Sequence, residues 1–135
     1  MKKTFSVSVL VIVVACCAWL RAERPTEPVS KADFVVVGKV TKVFHRDFSS
    51  QDEYVIQIRI EEIEKGEGYR LRDLIFAYAF QRKPGLPLEP SASGHIAIPE
   101  EGQRIRARIK RGNGEMEALY PEWFEVLGTI EGQRK

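Results

Sequence analysis

The sequence predicts an all-β domain, a small barrel of five or six strands with at most a short helical turn. Three observations predict it. Apolar and polar residues alternate with a period of two in several separate segments, the spacing that sends successive side chains to opposite faces of a sheet. Glycine-rich turns stand between those segments, as hairpin connections require. No segment sustains the 3.6-residue apolar period of a long helix.

Residues 1–22 are set apart from the domain. Lys2 and Lys3 precede an almost unbroken apolar run from Phe5 to Leu20, and small residues cluster at Ala15, Cys16, Cys17, Ala18 and Ala22. That order is the pattern of a secretory signal peptide, so the domain is expected to be exported, either secreted or periplasmic. Val13-Val14-Ala15-Cys16 also reads as a lipobox. Cleavage of a leader 1–15 then leaves Cys16 as the lipidation site and the domain lipid-anchored in the cell envelope. An uncleaved anchor is a third reading, but the run from Phe5 to Leu20 is shorter than the roughly 20 residues that span a bilayer.

Loss of residues 1–22 removes Lys2, Lys3 and Arg21 and no acid. The 21 basic and 19 acidic residues of the chain become 18 and 19, a net charge of −1. Nucleic acid is therefore not an expected partner, and membrane contact is expected only through the leader or a lipid on Cys16. The same cut removes both cysteines, Cys16 and Cys17. The remainder, about 113 residues, suffices for one domain held by its core alone.

Residues 23–31 carry Pro25 and Pro28 and read as an extended linker. Residues 32–135 form the single domain. Phe34 to Phe44 is dense in β-branched residues, which favour strands; Gly38, where the apolar alternation changes phase, marks a bulge or bend. His45 to Asp52 reads as a turn. In the next strand Tyr54, Ile56, Ile58 and Ile60 take one face, while Gln57, Arg59 and Glu61 take the other. Lys65-Gly66-Glu67-Gly68 closes it. Leu74 to Phe80 is expected to be a central strand with both faces at least partly covered. Pro84 to Gly94 is an irregular loop.

A hairpin follows. Ile105, Ala107 and Ile109 alternate with Arg104, Arg106, Arg108 and Lys110, and Met116, Ala118 and Tyr120 alternate on the return strand. With Gly112-Asn113 as a two-residue loop, Ile109 faces Met116 and Ala107 faces Ala118, while Lys110 meets Glu115 and Arg108 meets Glu117. Pro121-Glu122-Trp123 is a corner or one helical turn, with Trp123 and Phe124 plugging the barrel end. Phe124 to Ile130 is the last strand. The strand number and the long, bent first strand fit an OB-like barrel; an immunoglobulin-like sandwich, which uses seven shorter strands, is the alternative.

Ala32-Asp33-Phe34-Val35-Val36-Val37-Gly38-Lys39-Val40, and the strand ending Ile60-Glu61-Glu62-Ile63-Glu64-Lys65-Gly66, resemble the netrin-like module, the OB-barrel domain shared by netrins and tissue inhibitors of metalloproteinases. The resemblance implies the barrel fold and, as its least favoured functional consequence, protease inhibition. Members of that group are stapled by disulfides, and this domain has no cysteine of its own.

Catalytic and metal chemistry find little support. Ser93 and His95 are neighbours in a loop, but they form no nucleophile motif. His45 and His95 are the only histidines, too few to suggest a zinc centre. No cofactor is expected and no enzyme activity is assigned. The candidate site is the basic ladder Arg104, Arg106, Arg108 and Lys110, whose guanidinium forks suit phosphate, sulfate or carboxylate. Arg104 and Arg106 lack carboxylates opposite them in the expected hairpin, which singles them out. The expected function is an exported, non-enzymatic binding module that recognises an anionic polymer or an acidic protein surface. An envelope-anchored structural lipoprotein is the alternative.

Overall fold

A sheet of this kind hides its backbone edges by curling until its first and last strands meet, and this chain does so. The computed structural model describes residues 25–85 and 93–128; the leader, its cysteines and residues 129–130 of the expected last strand lie outside the described residues. The strands are β1 (Phe34–Asp47), β2 (Gln51–Lys65), β3 (Leu74–Arg82), β4 (Arg104–Arg111), β5 (Met116–Ala118) and β6 (Phe124–Gly128), preceded by a single 3-10 turn at Val29–Lys31. They pair in the order β1-β2-β3-β5-β4, and β4 pairs back onto β1. The result is a closed, OB-like five-stranded barrel. β6 is an extra strand alongside β4, beyond β5. Closure excludes the sandwich alternative, because a sandwich leaves two separate sheets.

The interior follows from the period-two pattern. Ile56, Ile58 and Ile60 of β2, Ile75, Ala77 and Ala79 of β3, and Ile105, Ala107 and Ile109 of β4 are all buried in one cluster with Val36 and Val40 of β1. Trp123 is buried against this cluster and donates its indole N–H to the Ala97 carbonyl at 3.3 Å. The expected plug is therefore present, and Pro121-Glu122-Trp123 is a corner rather than a helical turn.

Two expectations need correction. The turn expected over His45 to Asp52 shrinks to Phe48–Ser50, because β1 and β2 stay paired out to Asp47 and Asp52. The β4–β5 hairpin has a four-residue loop closed by a hydrogen bond from the Gly112 N–H to the Glu115 carbonyl, so Ile109 faces Ala118 and Lys110 faces Glu117. A slip of two residues preserves the faces and changes every partner. β3 is central, between β2 and β5, and its outer face is only partly covered, at Tyr78 and Phe80. Its small side chains fill the interior, and Leu74 and Phe76 point outward at 38% and 44% exposure, since a narrow barrel has no room for four large residues on one short strand. The bulge expected at Gly38 is present as a register shift between Val37 and Gly38, and a second shift at Thr41 changes the phase of the outward positions. Gly38 also permits close approach: a Cβ there would overlap the Arg59 carbonyl and lie 2.8 Å from Ile58 Cγ2.

The seam between β3 and β5 is thin, with one ladder pair, Tyr78 opposite Glu117. His95 reinforces it. Its Nε2–H donates to the Ala118 carbonyl of β5 at 3.1 Å, and its Nδ1 accepts the Phe80 N–H of β3 at 3.1 Å. A carbonyl can only accept, so the ring is the Nε2–H tautomer. The imidazole acts as a rung between strands that do not touch there, packed edge-on against Phe80 and Tyr120. His95→Ala strands a buried donor on β3 and a buried acceptor on β5. Unmet partners of this kind cost about 1–3 kcal/mol each, so urea unfolding of the variant should show a midpoint lowered by about 2–4 kcal/mol in free-energy terms. A loss under about 1 kcal/mol would remove the rung from the account.

Candidate functional site

The expected ladder forms as a geometric feature. β4 runs between β1 on one side and β5 with β6 on the other, so Arg104, Arg106, Arg108 and Lys110 all point outward while Ile105, Ala107 and Ile109 point in. Its electrostatics differ from expectation. Arg104 Nε lies 2.7 Å from Glu61. Arg106 reaches both oxygens of Glu64 at 3.0 Å and Glu125 at 3.1 Å, and those hydrogen bonds, Glu64 first, raise its pKa above the ordinary value. Arg108 is 4.0 Å from Glu125. Lys110 pairs with Glu27 and lies 3.6 Å from Glu117. Arg104 and Arg106 thus do have carboxylate partners, supplied by β2 and β6 rather than by β5. A ligand anion on this row would have to compete with bound carboxylates.

A second row of cations is not matched in this way. Beyond Thr41 the outward positions of β1 switch from odd to even numbers, which brings Lys39, Lys42, Phe44 and Arg46 onto one face. Cross-strand pairing sets Lys39 beside Arg59, Lys42 beside Gln57, Phe44 beside Val55 and Arg46 beside Glu53. β3 continues each row with Leu74, Phe76, Tyr78 and Phe80. Lys39, Lys42, Arg46 and Arg59 are exposed and make no ion pair among the described residues. Lys42 lies over the Phe44 ring at 5.2 Å and Arg46 over Phe48 at 5.7 Å. The outer face of β1–β3 therefore interleaves unpaired cations with exposed rings.

At one end this face dips into a groove of about 580 Å³ lined by Phe44, His45, Arg46, Glu53, Val55, Tyr78 and Glu115. His45 stacks on Tyr54 and hydrogen-bonds Asp52 at 2.9 Å. Burial first, then the hydrogen bond to Glu53 and the charges of Glu53, Glu115 and Glu117, hold the Tyr78 hydroxyl well above the usual tyrosine range. His95 is only 5% exposed, and both its ring nitrogens are engaged by strand backbone. The loop pair Ser93 and His95 therefore has no ring nitrogen to spare for a base. No group of three or more His, Cys, Asp or Glu among the described residues is placed to hold a metal ion.

The second row escaped sequence reasoning because its members lie on two strands and on both parities of β1. The bulge that unites them leaves no mark in composition. No family model matches this chain, no curated protein matches it, and no solved structure matches it.

Tyr78 gives a pH test. Its folded pKa lies above the unfolded value of about 10, so above that pH the unfolded chain loses a proton that the folded chain keeps. Stability should then fall as pH rises past about 10. Unfolding of wild type and Tyr78→Phe between pH 9 and pH 11 should show a shallower alkaline loss in the variant; parallel curves would contradict the assignment.

Proposed function

We propose that the chain is an exported, non-enzymatic binding module that engages an anionic partner through the outer face of β1–β3. One observation carries this reading: four exposed cations, Lys39, Lys42, Arg46 and Arg59, make no ion pair among the described residues and stand among exposed aromatic side chains. An anion arriving there neutralises free charge, whereas on β4 it displaces a carboxylate. Strand faces of OB-like barrels commonly bind extended chains, with cations following the charge and rings supplying contact area. Export, and the alternative of a lipid on Cys16, rest on the leader alone; the mass of the mature N-terminus separates them. The netrin-like character of the barrel rests on the segments from Ala32 to Val40 and from Ile60 to Gly66. Protease inhibition is the weakest reading, since the domain has no cysteine to present to a metal.

Two neutralised variants of equal charge test the face. On heparin-like resin at low salt, Lys39→Gln with Arg59→Gln should elute at clearly lower salt than Arg104→Gln with Arg106→Gln, because screening weakens exposed, unpaired charge first. The reverse order would assign binding to β4. Equal losses would mean that only net charge matters.

A further inference from the structure

Aliphatic side chains on the same face narrow the kind of partner. Leu74 and Phe76 stand side by side on the outer edge of β3, and Phe44 stands two strands away, 43% exposed. The turn entering β3 adds Leu71, the second most exposed of the large apolar residues at 61%. A sulfated or phosphorylated chain in water gains from cations and from flat rings, but it offers nothing to bury a leucine. A lipid surface offers both: anionic headgroups for the cations, and an acyl boundary into which exposed leucine and phenylalanine side chains partition.

We propose that the β1–β3 face docks onto an anionic lipid bilayer, with Leu74 and Phe76 entering the headgroup boundary and Lys39, Lys42 and Arg59 meeting lipid phosphates. This rests on the anionic-partner reading and names its partner. It also adds a membrane contact made by the barrel itself, beyond any made through the leader. The geometry supports a surface rather than a strand-like ligand. The groove beside Tyr78 is rimmed by Glu53 and Glu115, so a polyanion laid along β1 and β2 runs into like charge. A bilayer touches only the part of the barrel turned toward it. That part is the Lys39–Arg59–Leu74 and Lys42–Gln57–Phe76 rows, away from the acidic rim. Carboxylates bordering these rows already have partners: Glu61 holds Arg104, Asp73 accepts the Arg70 N–H at 2.8 Å and Glu101 accepts the Val43 N–H at 3.0 Å.

The test is co-sedimentation of the full chain with vesicles of phosphatidylcholine alone or with about 30 mol% phosphatidylglycerol, enough to set up a negative surface potential. Neutral vesicles report what the leader contributes. The expected result is roughly tenfold tighter binding to the anionic vesicles, lost in Lys39→Gln with Arg59→Gln. Leu74→Ser with Phe76→Ser should lower vesicle binding about tenfold and heparin retention far less, and Phe44→Ser should act the same way if the double variant unfolds. Heparin retention without preference for anionic vesicles, or vesicle binding indifferent to all three apolar substitutions, would overturn the lipid partner and leave the anionic face standing. Vesicle and heparin binding both indifferent to Lys39 and Arg59 would overturn both.

Discussion

A five-stranded sheet becomes a barrel only if its last pair of strands meets, and here that meeting is narrow. β3 and β5 share one ladder pair, Tyr78 with Glu117. The remaining gap is spanned by the His95 imidazole, which ties the Phe80 N–H to the Ala118 carbonyl. Segment 93–95 assists from the other direction: the Arg82 N–H donates to the Ser93 carbonyl and the His95 N–H to the Phe80 carbonyl. Every other contact in the molecule presupposes this closure. Without it β3 and β5 would be edge strands, and the apolar faces of β2 and β3 would lose the cover of β5.

Closure also decides which charges meet. It places β4 between β1 and the interrupted strand formed by β5 and β6, within reach of Glu61 and Glu64 from the far end of β2, Glu125 from β6 and Glu27 from the chain before the barrel. Glu27 also accepts the Tyr120 N–H at 2.9 Å and donates its own backbone N–H to the Tyr120 carbonyl at 2.8 Å. The expected linker is in this way fastened to the barrel at Tyr120. These carboxylates are taken up by β4, and Lys39, Lys42 and Arg46 of β1 and Arg59 of β2 make no ion pair among the described residues. A domain whose net charge is close to zero can therefore present a positive face, because pairing is local and net charge is not.

The period-two pattern was enough to identify the strands, the core residues of β2 and β4 and the burial of Trp123. It was not enough to identify partners. The hairpin register depends on loop length, and Gly112-Asn113-Gly114 accommodates either a two-residue or a four-residue connection with the same faces inward. The inward face of β3 is open in the sequence, because alternating Leu74, Phe76, Tyr78 and Phe80 with Ile75, Ala77 and Ala79 permits either side inward, and the barrel's narrow bore makes the choice. The candidate site shifted for a related reason. Arg104, Arg106, Arg108 and Lys110 are conspicuous on one strand, while Glu61, Glu64 and Glu27 lie 43, 42 and 83 residues from the cations they meet. Lys39, Lys42 and Arg59 are dispersed in sequence, and the bulge at Thr41 alone aligns them.

The most direct test of this charge segregation is backbone amide chemical-shift mapping of the folded domain titrated with a short heparin-like oligosaccharide. Perturbations concentrated at Lys39, Lys42, Arg59 and Phe76, with Arg104 to Lys110 unmoved, are what the account predicts. Perturbations centred on Arg104 and Arg106, with the β1–β3 face silent, would contradict it.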